Sequence, residues 1–562
     1  MDRLHARGLA SPPVLSGASF MSIRLTRRAA MTAGAASGAV SLAPLRAWAQ
    51  EAANDHSDLA AAIDAYVKRA LAAFPDQPGL AVAVVKDGAA VLSRGYGVRR
   101  MGEARRVDEN TLFAIASNTK NVTAAGLAMM VDEGRVKWDE PVRTYLPGFT
   151  LSDPVIGERI TVRDTLSHRA GFGLGAGDLL FWPNSDRSRE EVMARAAFVP
   201  IEHGFRAGYH YCNLMFVVAG EVLAAASGQR WEDFVQTRIL DRVGMRETVP
   251  MTSLADPERS ALPHARTGPP LRYQGPMRPI ADSIAEVWNW DSAAAAGGLC
   301  ASAADWSKWI AVRLAMGRLA DGGRLFSEET AREMWRPNII SNSSEGPTAA
   351  LPGRAIASTY AMGWSVQDYR GERLISHGGG SPGGISATML IPGRNVGFAV
   401  FSNAEESYLL RALRSGITDI CMAKTDFDWI ADSVKRNDEG IEKSLAAAAA
   451  IDARQAAGAP PSLPLSAYAG TWRDPWYGDI VIEARDLQLW LRFTHNPALQ
   501  GRLEPYDGDT LRSRFPDTRE EDVFVSFTLV DGVPATATVK AVSPDADFSY
   551  DYQDLRLTRV GG

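Results

Sequence analysis

The chain has 562 residues, 46% hydrophobic and 22% charged, with a formal net charge of −6. That ordinary globular mixture is too long for one core and predicts two domains plus a processed segment. The acidic balance argues against a nucleic-acid partner, which needs a basic face. Three scattered cysteines, Cys212, Cys300 and Cys421, argue against a disulfide framework or a zinc site.

In chain order, residues 1–49 read as an export signal. Arg24-Leu25-Thr26-Arg27-Arg28 precedes an apolar, small-residue run from Ala29 to Leu45, and Ala47-Trp48-Ala49 offers a small-x-small cleavage site. The run is broken by Pro44 and is short for a bilayer, so no membrane span is expected once the signal is removed. The paired arginines have twin-arginine character, with an ordinary secretory signal as the alternative; either predicts a periplasmic or secreted protein. Met21 competes with Met1 as the start.

A helix is predicted from about Asp58 to Phe74, then a hairpin of Leu80–Val85 and Ala89–Leu92 around Lys86-Asp87-Gly88. A long helix begins near Ser117 and stops before Gly134. Helices then dominate to about residue 340, Leu214–Ala226 and Trp231–Ile239 being the clearest. Ser302 and Asp305 have the spacing of a capping box ahead of a helix carrying Trp306, Trp309 and Ile310. Pro263–Pro279 and Ser341–Ile356 are breaker-rich loops, either binding walls or plain surface insertions. Strands return at Arg373–Ser376, Ser386–Ile391 and Val396–Ser402. Strands, helices, then strands of one sheet predict an α+β or mixed α/β sandwich.

Ala446–Ala450 followed by Gly458-Ala459-Pro460-Pro461 reads as a helix and a stiff linker. Beyond it, Asp479–Ala484, Leu487–Phe493, Val523–Val530 and Thr536–Val542 predict a small antiparallel barrel or sandwich.

Three short signatures carry chemistry. Of nine lysines, only Lys120 has a serine three positions earlier, in Ser117-Asn118-Thr119-Lys120. Only Tyr211, of fourteen tyrosines, has asparagine two positions on, in Tyr211-Cys212-Asn213. Only His377, of eight histidines, is followed by the x-Gly pattern, in His377-Gly378-Gly379. Ser117 and Lys120 share one helix face near a helix start, where free N–H groups favour negative charge. A serine hydroxyl needs a neighbouring base, and burial of Lys120 would lower its pKa enough to serve. Tyr211 is a second base or proton shuttle, with a packed core tyrosine as the bland reading. Asn213 can hold Lys120 or a substrate carbonyl. The glycines after His377 let a strand approach a ligand, and the Gly380 N–H pairs with that of Ser117 as an oxyanion hole. Cys212 reads as packing and His168 as a structural histidine bonding backbone. His203 and His210 lack metal-site spacing, and no cofactor is called for.

On these motifs, residues 55–430 resemble the penicillin-binding-protein and class C β-lactamase-like serine hydrolases, a family that includes D-aminopeptidases, esterases and DD-peptidases. Leu166–Gly171, Arg242-Val243-Gly244-Met245 and Ala296-Gly297-Gly298-Leu299 extend the resemblance. It implies a β-lactamase/transpeptidase-like antiparallel sheet flanked by helices, with the nucleophile on a central helix. Residues 431–464 then form a helical, Pro-rich linker. Residues 465–562 look like the small lipocalin-like β-barrel appended to D-aminopeptidase-like members. β-Lactamases carry Lys-Thr-Gly where this chain has His377-Gly378-Gly379, and a neutral histidine is a poor anchor for a substrate carboxylate. The expected activity is therefore cleavage of a peptide or amide bond through a Ser117 acyl-enzyme. A carboxylesterase acting on small acyl esters, favoured by apolar walls around 263–279, is the first alternative. A β-lactam-binding sensor or β-lactamase-type protein is the second.

Overall fold

A computed structural model describes residues 43–561, with side chains from Asp55 onward. The export signal read over 1–49 lies outside these residues except for the backbone at its end. The chain divides into a unit ending at Ala53 and a second, residues 54–562, that holds the sheet, the candidate site and the barrel.

The first helix, α1 (Ala43–Ala73), leads to the hairpin β1 (Gly79–Lys86) and β2 (Ala89–Gly97). Its turn, Asp87-Gly88, takes positive φ at both residues (52° and 82°), the two-residue geometry that matches strand twist. The buried helix α2 (Thr119–Asp132) follows, then α3 (Leu214–Ser227) and α4 (Ala303–Leu314). The remaining strands of the sheet are β3 (Ile339–Ser343), β4 (Ala357–Tyr360), β5 (Ser365–Tyr369), β6 (Glu372–Ser381), β7 (Gly384–Ile391) and β8 (Val396–Ser402). They pair antiparallel in the order β2-β1-β8-β7-β6-β5-β4-β3. The expected class is the observed one: a large antiparallel sheet between helical layers, followed by a closed barrel.

Both faces of the sheet are covered, which explains why β1 reads as a continuous apolar run rather than an alternation. Ala81, Ala83 and Val85 join the core with α2, while Leu80, Val82 and Val84 pack against Ile63 and Val67 of α1 and Leu413 and Ile417 of α5 (Ser407–Cys421). α2 is buried from Thr119 to Met130, so it has no solvent face and its polar side chains must find partners inside. Thr123 donates to Ala295 O (2.7 Å), and Asn121 accepts from Trp309 Nε1 (2.7 Å).

The capping box at Ser302 is only half made. Ser302 Oγ accepts from Asp305 N (3.2 Å), but the Asp305 carboxylate turns away to accept from Glu247 N and Thr248 N instead. Residues 263–279 are not wholly irregular: His264–Arg266 and Met277–Pro279 form a two-stranded ribbon. The glycines after His377 lie inside β6, so the strand runs five residues beyond the predicted Ser376.

A single long helix, α6 (Trp429–Ala457), leads to eight antiparallel strands that close when Arg556–Arg559 pairs with Gly470–Asp474. The barrel docks through polar contacts. Asp551 accepts from Gly177 N (2.6 Å) and Leu179 N (3.0 Å), Asn496 Nδ2 donates to Pro183 O (2.7 Å), and Arg519 pairs with Glu286 (2.9 Å).

Glu521, 3% exposed, sits at this junction with Oε1 unpartnered, and burial pushes its carboxyl up to about 7. Since the folded value lies above the unfolded one of about 4.3, this group's contribution is fully present below pH 4.3 and is lost as pH rises through 7. Glu521→Gln should therefore raise the thermal midpoint by about 2–4 °C at pH 8 and leave it unchanged at pH 4.5. Equal shifts at both pH values in calorimetry would remove the ionisation from the account.

Candidate active site

Ser117 is lifted out of a buried run by backbone strain. Ile115 and Ala116 are buried, and Ala116 takes a φ of 44°, the left-handed region that a β-carbon disfavours. The 3-10 turn Ala116–Asn118 feeds directly into α2. It is clamped from β7, where Ser386 Oγ donates to Ile115 O (2.8 Å) and accepts from Asn118 Nδ2 (2.8 Å).

The strand β6 closes on the same turn. A β-carbon at Gly379 would stand 2.2 Å from Ile115 O and 3.1 Å from Ser117 N, so only glycine allows this approach. At Gly380 it would meet nothing within 4 Å. Pairing of β6 with β5 ends at Ser376 with Ser365, which leaves the edge beyond His377 unpaired on the side of the site. Backbone donors of that edge and the Ser117 N–H are thus the groups available to an oxyanion.

Lys120, fully buried, places Nζ within 2.8 Å of Ser117 Oγ, 2.7 Å of Asn213 Oδ1 and 2.7 Å of Ala296 O. Burial draws its pKa down to about 7, with Asp178 acting in the opposite sense. The two carbonyl oxygens cannot donate. A neutral amine must therefore spend both N–H groups on them, and its lone pair is left facing the Ser117 hydroxyl. Tyr211 OH donates to the same Oγ (2.7 Å), and burial holds the phenol well above its ordinary pKa. Tyr211 thus stands as a proton-bearing phenol beside a hydroxyl whose own proton points to Lys120. Of the two bases read from the sequence, the geometry favours the amine.

Asn213 precedes α3 at its N-cap position but caps nothing. Its amide is used inward, with Nδ2 donating to Asp178 Oδ2 (2.7 Å). Asp178 is buried and its carboxyl is pushed up to about 8, so near pH 7 it is mostly neutral and does little to hold Lys120 as the ammonium. His168, at φ 55°, accepts from Cys212 N through Nδ1 (3.1 Å) and packs its ring 4.1 Å from that of Tyr211. It positions Tyr211 and bonds backbone. Cys212 is buried with Sγ 3.7 Å from Ala176 O, and burial pushes its thiol up, away from reactivity.

His377 is locked. Nδ1 donates to Gly378 O (2.6 Å) and Nε2 accepts from Tyr360 OH (2.8 Å), which fixes a neutral tautomer. Burial first, then Lys120, draws its pKa down to about 3.

Ser117, Tyr211, Asn213, His377, Gly379 and Gly380 all line one cavity of about 290 Å³, with Lys120 behind Ser117. Sequence reasoning missed much of the wall. Trp288 and Trp290 stack at 4.0 Å, Trp182 meets Trp288 edge-on at 5.2 Å, and the barrel supplies Asp547, Phe548 and Ser549. Phe548 packs 5.6 Å from the Tyr211 ring. For Asp178 a signal was present: a lone acid in the apolar run Asp178-Leu179-Leu180-Phe181-Trp182. For the barrel residues, more than 300 positions from Ser117, there was none.

Two outcomes are expected. If neutral Lys120 is the base, kcat/KM on any turned-over substrate falls below pH 7 with an acid limb near 7, and a flat profile between pH 5.5 and 8 would remove Lys120 from that role. Gly379→Ala should lose about 10²-fold or more in kcat and also lower the thermal midpoint, because its β-carbon collides with backbone at Ile115 and forces β6 away from the Ser117 turn.

Comparison with known proteins agrees with this architecture. Residues 67–415 match the Beta-lactamase family, and residues 454–559 match a second family, described as Domain of unknown function (DUF3471). The Unguisins hydrolase ungD' of Aspergillus campestris (strain IBT 28561) is 28% identical over 439 residues, covering 72% of this chain and 74% of that protein. Two solved structures share the fold. The octameric penicillin-binding protein homologue from Pyrococcus abyssi has a TM-score of 0.53 at 18% identity, over 89% of this chain and 99% of its own. The D-amino acid amidase from Ochrobactrum anthropi SV3 complexed with D-Phenylalanine has a TM-score of 0.52 at 21% identity, over 67% and 99%. With more than half its length matched, the chain belongs to the Beta-lactamase family of serine hydrolases.

Proposed function

We propose that this chain is a serine peptidase or amidase that cleaves through an acyl-enzyme on Ser117. The observation that carries the reading is the three-way coordination of Lys120 Nζ, which leaves the amine one direction in which to accept a proton. Ser117 Oγ attacks the substrate carbonyl as its proton passes to Lys120. The developing oxyanion is held by the Ser117 N–H and the free edge of β6. Lys120, through the Tyr211 hydroxyl, returns the proton to the leaving nitrogen, and the amine departs. Water then attacks the ester by the same proton route in reverse.

The walls favour amide substrates that lack an anion beside the scissile bond. His377 cannot supply a cation, and the side-chain carboxylate of Asp547 stands in the lining. The loop 263–279 contributes Arg266, Arg272, Tyr273, Gln274 and Met277 to an adjoining cavity, so polar side chains outnumber apolar ones on the part of the wall whose apolarity would favour a carboxylesterase. The cluster of Trp182, Trp288 and Trp290 suits a large apolar or aromatic residue at the scissile position. The D-amino acid amidase and the unguisins hydrolase are consistent with bond cleavage of this class.

Ser117→Ala should reduce hydrolysis of amino acid anilides by about 10⁴-fold or more, and Tyr211→Phe by about 10²–10⁴-fold. Undiminished rates in Ser117→Ala on anilides, aryl esters and a cephalosporin alike would end the proposal. Asp547→Asn should shrink the preference for a free-amine over an N-succinyl anilide by about tenfold.

A further inference from the structure

A second cavity, of about 390 Å³, adjoins the catalytic one, and Trp182 and Asp547 belong to the walls of both. Its size is that of a pocket for a substantial ligand, not a packing defect. The loop 263–279, one side of α6 and the barrel segment holding Asp545 and Asp547 meet there, with the end of β6 and the start of α5 completing the wall. They are tied together across the opening. Gln274 Nε2 donates to Ser444 Oγ of α6 (2.6 Å), and Ser444 Oγ donates to Asp545 Oδ2 (2.8 Å).

Charge in this cavity is one-sided. Arg266 is already paired with Asp76 (2.7 Å) and Glu406 (2.9 Å), and Arg272 with Glu405 (2.5 Å). Among the described residues no cation pairs with Asp545 or Asp547. The two arginines are neutralised, and a surplus of carboxylate faces whatever enters.

Position fixes which end of a substrate this cavity receives. The proton for the leaving nitrogen comes from Tyr211 and Lys120, so the leaving group departs on the side of Tyr211, Tyr360 and His377. Ser381 and Pro382, at the opposite end of the free stretch of β6, pass out of the catalytic cavity into the wall of the second. The acyl chain must therefore run toward Ser381.

We propose that the second cavity binds the acyl-side residues of an oligopeptide, amino-terminal to the scissile bond, and rejects acidic ones. The natural substrate is then a peptide of several residues rather than a single amino acid amide. This rests on the reading of the chain as a Ser117 peptidase. It assigns a specificity role to α6 and the barrel, which contribute nothing to the nucleophile itself.

The test uses peptidyl anilides with one, two or three residues on the acyl side, the outermost being Lys, Gln or Glu, with the full chain. From one to three residues kcat/KM should rise at least tenfold, mainly through KM. A terminal Lys should exceed a terminal Glu by at least fivefold, and the gap should narrow in 0.5 M salt, on the order of the screening expected for exposed charge. Ile441→Trp fills the cavity from α6, where the side chain is 45% exposed and the fold tolerates exchange. It should cut the ratio of three-residue to one-residue kcat/KM at least fivefold, and Asn437→Trp should do the same from one turn earlier. No gain with length, or equal loss on both lengths in the two variants, overturns the inference while cleavage of the one-residue anilide leaves the Ser117 reading standing. If no anilide of any length is cleaved, both fall.

Discussion

The site depends on a lysine that is denied water. Lys120 sits on a helix with no solvent face, and the fall of its pKa from 10.5 to about 7 corresponds to roughly 5 kcal/mol against the charged form. Desolvation alone would make the amine a base, but an unoriented one. Asn213 and Ala296 supply the orientation by taking both N–H groups, so the remaining lone pair has one destination. The strain at Ala116 and the glycine at position 379 serve the same arrangement. One lifts Ser117 off the end of α2, and the other lets β6 close within reach of its N–H.

Keeping that amine neutral requires that nothing charged stand beside it. Asp178 is the nearest threat, since an ionised carboxylate two hydrogen bonds away would pull Lys120 back toward the ammonium. Its burial resolves the conflict by pushing the carboxyl up to about 8. That burial is itself partly the barrel's work, because Asp551 grips Gly177 N and Leu179 N on either side of Asp178. The C-terminal barrel therefore bears on the surroundings of Lys120 through Asp178, besides lending Asp547 and Phe548 to the cavity wall.

The legible parts of the sequence were those set by local rules. The turn at Asp87-Gly88, the all-apolar β1, and the three-residue spacing of Ser117 and Lys120 each follow from short-range geometry, and each lies in the fold as read. The Ser302–Asp305 pair shows the limit of such rules: the spacing was right, but Asp305 had a better use in holding Glu247 N and Thr248 N from another segment. The glycines after His377 were read as strand backbone that can approach a ligand, and they lie in β6 because β7 runs alongside and a neighbouring turn needs the space. The tryptophan cluster, Asp178 and the barrel loop were out of reach because their meeting is a tertiary event between segments far apart in the chain.

These placements separate reactivity from selectivity. Ser117 on the turn before α2, Lys120 on α2 and the free edge of β6 lie inside the part of the chain that matches the Beta-lactamase family. What surrounds them comes partly from outside that match: α6 and the barrel lie beyond it, while the loop 263–279 and the three tryptophans lie within it. A family that keeps one proton relay can change its substrates by exchanging those outer pieces, because they touch the ligand without touching Lys120 Nζ. In this chain a buried, neutral His377 stands on β6, and Asp545 and Asp547 of the barrel line the adjoining cavities.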